Sequence, residues 1–216
     1  MQSLPILTLR TNEEIEAVRA LEMVAKLLPT VEHDAYQWKW VLIALHNAVQ
    51  GFMVLSLQGT WPVRVFMEAH AKKAIEAYEQ EVAKPRDERD YEGMFLSGKL
   101  DYFLNLYEKI QSDEQMGQFV TSRTFRPDGT QTQSMEQLNE KRNGFMHFVP
   151  ISTTMYVGDF PTVLGDCVAL MSFLAFDSQN VTWGIQDQLE EQTRTLLDQV
   201  RTQASRLASM YSSSEA

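Results

Sequence analysis

Residues 40–57, "WVLIALHNAVQGFMVLSL", carry no acidic or basic side chain apart from His46. A helix that is apolar all round has to be surrounded, either by other helices or by lipid. The run just reaches the length of roughly 18 residues at which a membrane span begins. His46, Asn47 and Gln50 stand in its middle, where hydrocarbon would penalise them. No second stretch of this kind stands out, so the reading is a buried central helix over 34–58 rather than a span. The rest of the chain must then supply its surroundings.

It does so with helices. "TNEEIEAVRALEMVAKLL" opens on Thr11 and Glu14 at capping-box spacing and ends at Pro29. Residues 62–83 start on Pro62, a first-turn proline. Over 95–110, Leu96, Leu100, Phe103, Leu104 and Tyr107 share a face. "RPDGTQTQS" is turn-rich and precedes a helix over about 134–147, closed by Pro150. "ISTTMYVG" at 151–158 is β-branched and reads as a short extended piece. An apolar helix follows over 160–177. A long amphipathic helix over 183–210 places Leu189, Leu196, Val200 and Leu207 on one narrow stripe, suited to packing in a bundle or across a dimer. With 216 residues and 44% hydrophobic content, the chain can build one sizeable core. The expectation is a single all-α domain over 1–216, an up-and-down bundle of about 6–7 helices.

Composition removes several function classes. A net charge of −10 excludes a protein that binds nucleic acid through its overall field, though not one with a local basic site. The single cysteine, Cys167, excludes an intrachain disulfide framework and fits a reducing, cytoplasmic home, and its apolar context predicts an inert packed thiol. "MQSLPILTLR" lacks the charged and apolar regions of a signal peptide. "GMFLSGKL" has phosphate-loop spacing, but Leu100 stands where a hydroxyl is needed for magnesium. His33 lies between Glu32 and Asp34, and this short cluster at an expected helix N-terminus reads as capping and dipole complementarity rather than a metal site. No zinc spacing and no nucleophile elbow occur, so no metal and no cofactor are expected.

"EKRNGFMHFVP" at 140–150 is the stretch that carries chemistry. Arg142 and His147 follow an Arg-to-His spacing that Arg64 and His70 also satisfy, so spacing alone decides nothing. The distinguishing features are Asn143 directly after Arg142 and the position at a helix end. "LNEKRNGFMHFVP" resembles the signature segment of the HEPN families, small all-helical domains whose ribonuclease members carry an R-x4–6-H motif, often with Asn after the Arg. "ALHNAVQ" is similar to the family's other signature helix. The likeness spans 34–178, with sharp identity over about a dozen residues around the motif.

The resemblance implies a metal-independent RNA endonuclease or RNA-binding protein, whose composite site forms where two protomers meet. Arg142, Asn143 and His147 would take the catalytic positions. His46, Asn47 and Gln50 would support them, and Lys141, Arg123 and Arg126 would add local positive charge for RNA. RNA carries its own nucleophile, the 2′-OH; a histidine can take that proton and a guanidinium can brace the phosphate. The product would end in a 2′,3′-cyclic phosphate. DNA, lacking the 2′-OH, would not be cut. The implied partners are a second copy of the chain, single-stranded RNA and an antitoxin-like protein, in a defence or toxin–antitoxin setting. The competing reading is structural: His147 satisfies the last turn of its helix, and Arg142 pairs with Glu136 or Glu140 on the surface. On that reading the chain is a non-catalytic helical module for a protein partner or a small ligand.

Overall fold

The computed structural model describes residues 9, 11–59, 61–91, 98–147, 154–183 and 187–214. Among these, eight α-helices and no strand make up the fold: α1 (Glu13–Leu27), α2 (Trp38–Gln58), α3 (Glu68–Val82), α4 (Phe103–Lys109), α5 (Asp113–Met116), α6 (Gln131–Met146), α7 (Phe160–Ser172) and α8 (Asp187–Ser214). The all-α bundle expected from periodicity is what forms.

The apolar run is the hub. Trp38, Leu42, Leu45, Val49, Phe52, Met53 and Leu57 are buried on different sides of α2, which packs against α1, α4, α5, α6 and α7. Gly51 lets α1 come close: a Cβ there would sit 2.8 Å from the Cβ of Ala17. One continuous apolar core joins α1, α2 and α4 through α8. The α8 stripe is used within the bundle, against α7 and α1, with Val200 and Leu207 fully buried. Glu32 holds α8 from the outside through Gln203 and Arg206, and Trp38 donates to the Tyr211 hydroxyl at 3.1 Å. The helix runs on to Ser214, four residues beyond the expected end.

Two windows are long and apolar enough to cross a membrane, Ala35–Gln58 and Phe160–Asp177, with mean hydropathy 1.6 and 1.4. The sequence reading picked out only the first. Buried shares of 67% and 56% put most of each inside the bundle.

Four local expectations change. The cap of α1 is Asn12, whose Oδ1 accepts from the Ile15 N–H at 2.8 Å, while Thr11 bonds Glu16 instead. Residues 62–65 form a separate 3-10 turn, so α3 begins at Glu68. The helix expected from 95 begins only at Phe103, with 92–97 outside the described residues. Residues 98–102 run extended: Met67 N–H donates to Lys99 O at 3.0 Å and Asp101 N–H to Val65 O at 2.9 Å. The cause is Asp101. It is buried, and its carboxylate takes the Tyr102 N–H, the Asn105 amide and Lys109, which fixes the helix start. Of the extended piece expected at 151–158, residues 154–157 carry no strand and 151–153 lie outside the described residues.

The C-terminus of α2 is closed by a side chain. Gln118 Nε2 donates to Ser56 O at 2.7 Å and Leu57 O at 3.0 Å, orphan carbonyls of the last turn. Gly59 follows at φ +48°, and a Cβ there would collide with Gln118 Oε1. Gln118→Ala is expected to cost about 1–3 kcal/mol in chemical denaturation, because the carbonyls of two buried residues, Ser56 and Leu57, lose their donor. Gly59→Ala is expected to destabilise as well, from both strain and collision.

Candidate functional site

Helical geometry decides which polar residues can meet. On α6, Asn139, Arg142 and Asn143 stand at i, i+3 and i+4 and share a face; on α2, His46 and Gln50 do the same. The two faces pack toward each other, and residues 101–105 form a third wall. Together they line a cleft of about 450 Å³.

His46 forms its floor. It is only 2% exposed, and its ring stacks on Phe103 with centroids 4.1 Å apart and planes at 24°. Nε2 lies 3.4 Å from Asn139 Oδ1, which accepts from it; Asn143 Nδ2 donates to the same oxygen at 3.5 Å. His46 Nδ1 is buried without a partner. Burial, with the Arg142 charge beside it, holds the pKa down to about 4, against the opposing pull of Asn139 and Asn47. The ring is therefore neutral at physiological pH.

Arg142 is the electrostatic centre. Nη1 donates to Asn143 Oδ1 at 3.0 Å, and Nε is buried with no partner. No carboxylate among the described residues pairs with it. The expected partner Glu140 is taken by Lys141 at 3.0 Å. The acidic residue lining the cleft, Asp101, is held by Lys109 at 2.7 Å. Burial would push the Asp101 carboxyl up, but Lys109, Asn105 and the Tyr102 N–H outweigh it and keep it below the usual carboxylate range. A half-buried guanidinium is thus left uncompensated in a chain of net charge −10. Chemically, that is a seat for an anion.

His147 is elsewhere. Five residues beyond Arg142, it lies about 140° further round the helix. It caps α6, is exposed, and lines a separate groove of about 440 Å³ with Lys141, Phe145, Tyr156 and Asp159. One chain therefore does not bring Arg142 and His147 into the same cleft. Arg123 and Arg126 line neither space. Arg123 lies over the Phe173 ring at 6.0 Å, and Arg126 pairs with Asp113 at 2.6 Å. Asn47 lines a third groove, of about 1010 Å³, between α1 and α2. Its walls are mostly apolar, including Ala20, Met23, Leu27, Trp40, Ile43 and Val54, and Gln50 lies on the border it shares with the cleft.

Sequence reasoning passed over Asn139, Tyr102 and Asn105. The first had a signal: it lies one helical turn before Arg142 and Asn143. Tyr102 and Asn105 had none, since the 95–110 segment reads as continuous helix. The decoys resolve structurally. Asp34 caps the Ala35–Gln37 turn, and Cys167 is fully buried, which pushes its thiol pKa up. Among the described residues no group of three His, Cys, Asp or Glu could hold a metal ion. Comparison with known proteins finds no family model that matches the chain, no similar curated protein and no similar solved structure.

Proposed function

We propose that the protein binds single-stranded RNA at the Arg142 cleft and cleaves it as a homodimer, in the manner of the HEPN ribonucleases its motif resembles. The observation that carries this reading is the uncompensated Arg142 guanidinium among carboxamides. A backbone phosphate supplies the missing anion, and the amides supply neutral hydrogen-bonding groups that do not repel RNA. His46 is neutral and enclosed, so it positions Asn139 rather than transferring protons. Acid–base work falls to the exposed His147. Because Arg142 and His147 of one chain line different spaces, a second copy has to bring the partner's His147 to the Arg142 cleft. The apolar α1–α2 groove adjoins the cleft through Gln50, which makes it the face on which that copy would sit.

In the reaction, the partner's His147 takes the proton of the 2′-OH as O2′ attacks phosphorus. The P–O5′ bond breaks, and the O5′ leaving group takes a proton from water. The products are a 2′,3′-cyclic phosphate and a 5′-OH. Arg142 stabilises the charge that builds on the phosphoryl oxygens.

The test is cleavage of a single-stranded RNA in EDTA by wild type and His147→Ala, with an all-deoxy oligonucleotide beside it and molar mass measured by light scattering. The expected results are cyclic-phosphate ends from wild type, a loss of about 10²-fold or more in His147→Ala, no cut in the deoxy strand, and a dimer. Equal cleavage by both proteins, or none by wild type at high concentration, overturns the proposal. The size and apolar lining of the α1–α2 groove favour the second reading, a non-catalytic interaction module. A monomeric wild type that neither binds nor cuts RNA would decide for it.

A further inference from the structure

We propose that the cleft seats one nucleotide of the bound strand: Arg142 takes the phosphate, Tyr102 stacks on the base, and the amides of Asn105, Asn139 and Gln50 read its edge. This inference rests on the RNA reading above and adds a substrate position to it.

Size and shape come first. About 450 Å³ is at the small end of the range for small-ligand sites and holds one nucleotide rather than several. Its rim carries Tyr102, 68% exposed although it begins a helix whose next residue, Phe103, is core. The Tyr102 N–H donates to Asp101 Oδ1 at 2.9 Å, and the residue lines the cleft directly before α4. An exposed aromatic beside a guanidinium is the pairing that single-stranded nucleic acid uses, with the base on the ring and the phosphate on the cation.

Existing bonds determine what the amides can offer. Asn105 spends its Nδ2 on the Asp101 carboxylate at 2.7 Å, which leaves its oxygen as an acceptor. Asn139 spends its oxygen on His46 and Asn143, which leaves its Nδ2 as a donor. The cleft therefore presents an acceptor and a donor, with Gln50 able to act as either. A base edge that sets a donor beside an acceptor complements that pair: adenine and cytosine offer an exocyclic amine beside a ring nitrogen, and uracil offers N3–H beside a carbonyl. His46 enters indirectly. Its Nε2–H on Asn139 Oδ1 keeps that amide from flipping, which makes it a positioning residue.

The experiment uses the full chain in EDTA, with His147→Ala as background to prevent cutting. Fluorescence polarisation measures binding of five-nucleotide oligoadenylate and oligouridylate RNAs, and calorimetry measures free AMP. Tyr102→Ala is expected to weaken oligoadenylate binding about 10-fold or more, the range seen when one stacked base loses its ring. Tyr102→Phe keeps the ring and should restore binding. Oligoadenylate should bind more tightly than oligouridylate because adenine offers the larger face to stack on Tyr102, and Asn105→Ala should weaken binding of both. RNA binding that is unchanged in Tyr102→Ala overturns the nucleotide seat while leaving the RNA reading intact. Binding of both oligomers that is unchanged in Asn105→Ala overturns the base reading by the amides. AMP binding that depends on Tyr102, in a protein that neither binds nor cuts RNA, supports the seat and overturns the RNA reading. No binding of either probe overturns both. Tyr102 is exposed, so loss of fold is not expected in its variants, and thermal unfolding checks this.

Discussion

Arg142→Ala is expected to lower RNA cleavage by about 10²–10³-fold, the scale on which enzymes lose rate when one preorganised donor to a developing charge is removed. Stability should be unchanged or slightly raised. The combination separates a functional arginine from a structural one. An arginine kept for the fold pairs with a carboxylate, and deleting it strands a buried charge at a cost of about 3–5 kcal/mol. Arg142 has no such partner among the described residues, only Asn143 Oδ1, and its Nε is enclosed without a bond. Its desolvation is therefore a standing cost to the folded chain. Arg142→Lys keeps the charge but loses the planar fork, and should recover only part of the activity. A drop of several kcal/mol in Arg142→Ala, without loss of RNA binding, would sink the functional reading.

What could be read in advance follows the local physics. The all-round apolar pattern of 40–57 marks α2 as central because such a helix has no face to turn outward. Pro29 marks where α1 stops and Pro62 where the next turn starts, because a proline lacks the N–H that a helix interior needs. The expected helix over 95–110 misled because its leucine spacing is helical, whereas the interactions that hold the described residues 98–102 extended are tertiary. Asp101 stops the helix by binding Lys109, and Lys109 also donates to the backbone carbonyls of Arg64 and Phe66 across the turn. No periodicity can show that.

The candidate site divides the same way. His46 with Gln50, and Asn139 with Arg142 and Asn143, follow helical spacing, so both faces were legible. That the two faces would meet was not, because it depends on how α2 and α6 pack. The separation of Arg142 from His147 was legible and should temper any motif written as a spacing: five residues on an unbroken helix point in different directions. A spacing of that kind makes one site only when two chains supply it. This is why the nuclease reading stands or falls with the dimer.

The second large effect is a loss of stability in mild acid that belongs to one residue. The pKa of His46 is lowered from 6.5 to about 4 in the folded protein by burial and by Arg142. In the unfolded chain it protonates below about 6.5. Between those values the unfolded state holds the extra proton, so stability rises with pH across the interval. His46 is thus least unfavourable to the fold above pH 6.5. Its penalty grows as pH falls and levels off below about pH 4, at on the order of 3 kcal/mol in all and about 2 kcal/mol by pH 5. The other titratable groups lining the cleft do not confuse this window. Asp101 stays ionised, because Lys109 and its hydrogen bonds hold it below the usual carboxylate range. Urea unfolding of wild type at pH 7 and pH 5 should therefore show a loss that His46→Gln lacks, since glutamine fills similar space without titrating. In Arg142→Ala, the His46 ring resonances followed by NMR should titrate at a higher pH than in wild type, because a positive neighbour has gone. If wild type and His46→Gln lose stability in parallel from pH 7 to pH 5, His46 is not enclosed against Arg142 in solution, and the cleft proposed to hold the nucleotide does not exist in that form.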